Sequence, residues 1–164
     1  MPFIDSPRPL ANPNPIAPPN DGIEFIGNGI RSVDAPFLPG VGGLEDLANR
    51  RAAMSVGPAG PGSPPTLSRL DVEGMNPLFG TSGHNRDVTL TVNPISRTHD
   101  EADVLQQLAN SGGANGGNAV LYIDHPDGLC GACGRSGAVR SMARQVGISE
   151  LRVVWPGGEL VIVP

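Results

Sequence analysis

The chain has little of what several protein classes require. It contains no lysine, so all 11 basic residues are arginine, and 16 acidic residues leave a formal net charge of −5. A surface without a basic excess argues against unselective binding along nucleic-acid phosphates, while leaving a local contact open. No apolar run reaches the roughly 18 residues of a membrane span. The start "MPFIDSPRPL" lacks the basic and apolar regions of a signal peptide, so the chain as given is expected to be soluble. There are only two cysteines, Cys130 and Cys133, in a C-x-x-C spacing. So short a loop is more typical of a metal site or a redox pair than of a structural disulfide. Aromatic residues are 4% of the total, and Trp155 is the sole tryptophan.

Glycine and proline are abundant. The 23 glycines and 18 prolines make up a quarter of the 164 residues, at the edge of the composition expected for disorder. Residues 1–65 hold 13 of the prolines. X-Pro steps repel helix and prolines cannot join a strand ladder, so residues 1–40 read as an extended, at most partly ordered linker. That leaves one domain over residues 41–164. "GPAGPGSPP" is a second loop.

Within the domain the apolar spacing predicts alternating helices and strands. Leu44, Leu47, Ala48 and Ala52 recur at helical spacing over residues 43–54. "TLSRLDVEG" alternates as a strand, and "DVTLTVN" (87–93) places Val88, Leu90 and Val92 on one face, making residues 76–86 a hairpin loop. A second helix begins at Thr98, carries Ala102, Leu105, Leu108 and Ala109 on one side, and ends at Gly112 and Gly113. "NAVLYID" (118–124) is the continuous apolar run of a strand buried on both faces. A third helix spans Gly131 to Val146, burying Val139, Met142, Ala143 and Val146 before Gly147. "LRVVWPGGELVIVP" is two strands about a Pro-Gly-Gly turn, too short to be other than antiparallel. The expected fold is α/β, with helices on a mixed five-stranded sheet whose last two strands form a hairpin.

The chemistry-bearing residues collect at two helix starts, "THDE" and "CGAC". A catalytic zinc takes three protein ligands and leaves a position for water. His99, Cys130 and Cys133 would suffice, with Glu101 near enough to act on that water without being a ligand. A helix start would also favour the thiolates. Each piece has another reading: Thr98 and Glu101 make a capping box, and C-x-x-C between strand and helix is also the spacing of a thiol redox pair. His84 and His125, without a nearby carboxylate in H-x-E spacing, are left as solvated loop residues.

H-x-E on one helix start, a buried strand, then C-x-x-C on the next resembles the signature of the zinc-dependent nucleobase deaminases. The resemblance runs from about residue 43 to the end. "HPDGLCGAC" and the closing "VVWPGG" look most like the bacterial toxin deaminases that act on cytosine in double-stranded DNA. The antiparallel hairpin argues against the vertebrate-type arrangement. Two positions depart from the usual pattern: Leu129 stands where proline normally precedes the first cysteine, with the proline at Pro126, and Asp100 replaces a small residue and adds negative charge.

The resemblance implies a Zn2+ held by His99, Cys130 and Cys133, with Glu101 as acid and base, converting cytosine to uracil in single- or double-stranded DNA. Deaminases of RNA, adenine or free nucleosides share that chemistry. A structural zinc clip in a binding module and a C-x-x-C oxidoreductase remain as non-deaminase alternatives. A base inside a polymer must be unpaired or flipped and met by an aromatic platform. Trp155 is the candidate for that platform, or else a hairpin residue packing on the core, and Asn93 is a candidate for holding sugar or base. The resemblance further implies a monomer without membrane contact. It would be delivered as the C-terminal toxin domain of a larger bacterial protein, act in the target cytoplasm, and have an immunity protein as partner.

Overall fold

The computed structural model describes residues 23–26, 29–32, 42–62 and 65–164. Most of the expected linker lies outside these residues. Within it, β1 (Ile23–Ile26) and β2 (Gly29–Ser32) pair antiparallel, Ile23 opposite Ser32, in a stretch between Pro19 and Pro36 that contains no proline.

The domain is built on a five-stranded sheet. Its strands are β3 (Leu67–Val72), β4 (Leu78–Thr81), β5 (Ala119–Ile123), β6 (Leu151–Trp155) and β7 (Gly158–Ile162), in the order β4-β3-β5-β6-β7. Only β5 and β6 are parallel; the other three pairings are antiparallel. The parallel pair needs a crossover, which α3 (Ala138–Gln145) supplies, while α2 (Asp100–Asn110) links β4 to β5. The closing hairpin places Trp155 opposite Gly158, as its turn residues predict.

Period-2 alternation divides the sheet between two cores. Leu70, Val72, Leu121 and Ile123 face α2 and α3 in the larger one, with Leu105, Leu108, Val139 and Met142. Leu67, Val120 and Tyr122 face α1 (Gly43–Ala53) in the smaller. β5 therefore has no residue more than 2% exposed, which its unbroken apolar run requires. Each fully buried Leu contributes about 1.5–3 kcal/mol. In α1 the buried stripe is Gly43, Leu47 and Arg51 instead of the expected Ala48 and Ala52, which are exposed. Arg51 is tolerated inside because its Nε donates to Asp124 at 2.7 Å and its other nitrogens to the Gly57 and Pro65 carbonyls.

Both later helices end where glycine predicts. Gly112 and Gly113 take φ of 100° and 81° after α2. Gly147 takes φ of 76° after α3, and Ile148 N–H reaches back to the Ala143 carbonyl at 3.0 Å.

The second expected strand is displaced. Residues 87–93 form no strand, and β4 lies instead in the stretch expected to be hairpin loop. The alternation of Val88 and Leu90 did report burial, since they are 2% and 8% exposed. Their backbone, however, is satisfied by side-chain amides. Gln106 Oε1 accepts from Thr89 and Leu90 N–H at 2.9 and 3.1 Å, and Gln145 Oε1 accepts from Thr91 N–H at 2.8 Å. β4 in turn lies close on α2 because Gly80 has no side chain: a Cβ there would collide with the Asp100 carbonyl and Ser68 Oγ.

This arrangement makes Gln106, 1% exposed, a structural keystone. Gln106→Leu leaves two backbone N–H groups without their acceptor and is expected to destabilise the fold by about 2–6 kcal/mol, at roughly 1–3 kcal/mol for each orphaned polar group. Chemical denaturation measures the loss; a change below about 1 kcal/mol would mean that water replaces the amide.

Candidate metal centre

The first wall of the site is built by the chain entering α2. Asn93 Oδ1 accepts from Ser96 N–H at 2.8 Å, opening a single 3-10 turn over Ser96–Thr98. His99 then adopts an extended conformation (φ −84°, ψ 159°) as the N-cap of α2. The N-cap is thus one residue later than Thr98, which puts the capping box out of register. Thr98 Oγ1 turns back to the Ile95 carbonyl at 3.4 Å, and no side chain caps the helix. Glu101 is thereby free to face elsewhere.

The second wall is the loop after β5. Cys130 and Cys133 do not sit on the helix start expected for them; residues 131–136 are a run of turns, and α3 begins at Ala138 behind the cap Gly137 (φ 73°). The turn is tied by Gly134 N–H to the Cys130 carbonyl at 2.9 Å and by Val139 N–H to the Cys133 carbonyl at 3.1 Å. The expected helix-dipole help for the thiolates is therefore missing. Burial pushes the Cys133 thiol far up, Glu101's charge adds to this, and only the contact to Ser96 Oγ at 3.4 Å opposes it. A bound divalent cation is the kind of charge that reverses such a shift.

The two walls converge on His99. Its Nδ1 lies 3.2 Å from Cys133 Sγ and 3.5 Å from Cys130 Sγ, and the three donor atoms all fall within 4.8 Å of one another. Three donors about 2.0–2.3 Å from one tetrahedral ion are themselves roughly 3.3–3.8 Å apart. One nitrogen and two sulfurs in this arrangement suit zinc. The residues present fit a three-ligand zinc site in which a fourth position stays open. Both cysteines are free thiols turned toward the same imidazole nitrogen, Cys133 buried and Cys130 exposed.

Glu101 completes the group. It is 3% exposed, its Oε2 lies 3.9 Å from His99 Nδ1, and among the described residues that oxygen has no hydrogen-bond partner. An unpaired buried carboxylate oxygen costs free energy unless something meets it. It borders a cavity of about 430 Å³, within the size range of small-ligand pockets, together with His99 and Cys130.

Sequence reasoning missed several residues of this cavity. Thr66, Ser82, Asp127 and Leu129 line it, as does His125, set aside as a solvated loop residue. His125 follows β5 by two positions, so the strand's carboxyl end delivers it to the same edge as the C-x-x-C loop; that position was the available signal. Asp100 also lines the cavity, but it is 3% exposed, and among the described residues its Oδ2 has no hydrogen-bond partner. Burial, and secondly Glu101, raise its carboxyl well above the usual range.

The two candidate substrate residues lie elsewhere. Asn93 spends its side-chain oxygen on Ser96 and does not line the cavity. Trp155 is half-buried, packs on the larger core, and lines a neighbouring cleft. Its indole also explains the Asp-Gly-Leu-Cys turn. Gly128 has φ of 68°, and a Cβ there would lie 2.6 Å from the ring. Only glycine lets the cysteine loop pass so close to the hairpin.

No curated protein sequence matches the chain. The model of one family, described as MafB19-like deaminase, matches residues 47–162, from α1 to the end of β7. That span contains both walls of the metal centre and the whole five-stranded sheet, and the chain belongs to the MafB19-like deaminase family.

Proposed function

We propose that this deaminase removes the amino group of cytosine in DNA by zinc-dependent hydrolysis, as the toxin domain of a larger bacterial protein. The observation that carries the hydrolytic reading is Glu101 Oε2, buried and without a hydrogen-bond partner among the described residues, beside the His/Cys/Cys group at the wall of the cavity. His99, Cys130 and Cys133 would hold the zinc, which when bound supplies Lewis-acid activation of water. Glu101 would accept a proton from the attacking water and deliver it to the base. In net terms the water oxygen adds at C4, the C4–N bond breaks, and ammonia leaves as uracil forms. Cytosine and DNA are favoured by the "HPDGLCGAC" and "VVWPGG" stretches, which resemble the DNA-directed toxin branch. The same reading carries an immunity protein as partner, a monomer, and action in the target cytoplasm.

The test is a deamination assay on matched oligonucleotides carrying one cytosine or one adenine, as single- and double-stranded DNA and as RNA, with free deoxycytidine alongside. Uracil in the DNA arms is the expected result. Product only from RNA, adenine or the nucleoside would overturn the substrate and keep the chemistry; no product in any arm from zinc-loaded protein would favour the structural clip.

A further inference from the structure

Five of the described arginines are paired with acids: Arg50 with Asp46, Arg51 with Asp124, Arg69 with Asp71 and Asp46, Arg86 with Asp103, and Arg152 with Glu159. Arg97, Arg135, Arg140 and Arg144 have no ion pair or side-chain hydrogen bond among the described residues, and all four are exposed. Two of these four share a cleft. Arg135, from the turn after Cys133, and Arg140, in the first turn of α3, line a cavity of about 670 Å³ whose other side is Trp155 and the outer strand β7.

This cleft adjoins the metal centre. Asp127, Leu129 and Cys130 line both it and the cavity of Glu101, so the cysteine loop is the partition between them. Among the described residues Asp127 is the one acidic residue lining the cleft, and it stands at that partition. A ligand with its reacting end at Glu101 and a longer body therefore has a continuous path over the loop, past the Trp155 indole, to two uncompensated guanidinium groups. Guanidinium forks match phosphate oxygens. On a chain with net charge −5, two unpaired arginines in one concavity mark a local anion site, not a general basic surface.

We propose that this cleft holds the phosphodiester backbone flanking the target base, with Arg135 and Arg140 each contacting a phosphate beside Trp155. The inference rests on the deaminase reading of the adjoining cavity and adds the binding site for a polymeric substrate. Arg144 supplies an internal control, because it lies on the same helix, is exposed and unpaired, and does not line the cleft.

The experiment compares zinc-loaded wild type, R135A/R140A and R144A. It measures kcat and KM on a cytosine-containing DNA strand and on free deoxycytidine. Binding of fluorescent DNA and RNA strands is followed against salt in an E101Q background, where substrate persists. For R135A/R140A we expect KM on the strand to rise at least about tenfold with kcat within about twofold. Turnover of deoxycytidine should be unchanged, and the slope of log K against log salt should fall by about 1.4–1.8, for two contacts at roughly 0.7–0.9 each. R144A should behave as wild type. Unchanged strand binding in R135A/R140A, or an equal loss in R144A, would overturn the cleft while leaving the deaminase reading intact. Loss of strand binding in R135A/R140A from a wild type that deaminates nothing would support the cleft and overturn the reading of the cavity.

Discussion

Glu101→Gln is expected to lower the deamination rate at least about a hundredfold while the protein folds normally and keeps its zinc. The size follows from what a positioned acid/base contributes, typically 10²–10⁴-fold. An amide matches the carboxylate in shape but cannot accept a proton from water and return it to the base. The alternative role, helix capping, predicts little change, since glutamine serves in capping boxes as well. The structure separates the two roles: the N-cap of α2 is His99, Thr98 points back to Ile95, and Glu101 Oε2 meets no hydrogen-bond partner among the described residues. Removing that charge from a 3% exposed position also gives no reason for lost stability. Rate, zinc content and thermal unfolding of the purified variant decide the matter; uracil formation near the wild-type rate would sink the proposed role.

Cys133→Ala is expected to reduce zinc from about one per chain to near zero, to abolish activity, and to lower Tm on the order of ten degrees. Cys133 is 1% exposed and sits in the larger core, yet its sulfur is also 3.2 Å from His99 Nδ1, so a zinc held there would tie the loop before α3 to the start of α2. A ligand held by the folded state alone adds about 4 kcal/mol at a thousandfold excess over its Kd. At about 2–4 °C per kcal/mol for a domain of this size, that is the Tm change expected. Chelation separates the lost metal from the lost packing. A chelator should lower the wild-type Tm toward that of the variant and leave the variant itself unmoved. Wild-type protein purified without metal, its two cysteines oxidised to each other, would instead select the redox reading.

Much of the fold was legible because local pattern and tertiary environment agree. The periodicity of α2 and α3, their glycine stops at Gly112 and Gly147, the unbroken apolar run of β5 and the turn of the last hairpin each follow from residues near in sequence. The H-x-E and C-x-x-C spacings likewise named all three donors that the structure brings together. What the chain order alone did not determine depends on contacts distant in sequence. Alternation over residues 87–93 reports which side chains are buried, and says nothing of where the backbone N–H groups go; two glutamines on other elements take them. β4 is four residues containing a glycine, a weak strand by propensity, and it forms because Gly80 alone lets the edge lie against α2. The cysteine loop is a turn under an indole nearly thirty residues away in the chain, so neither its departure from helix nor the Cys133 burial is a local property. His125 and Asp100 entered the site by the same route: strand ends and helix starts bring distant residues to one sheet edge, and only packing decides which of them face the cavity.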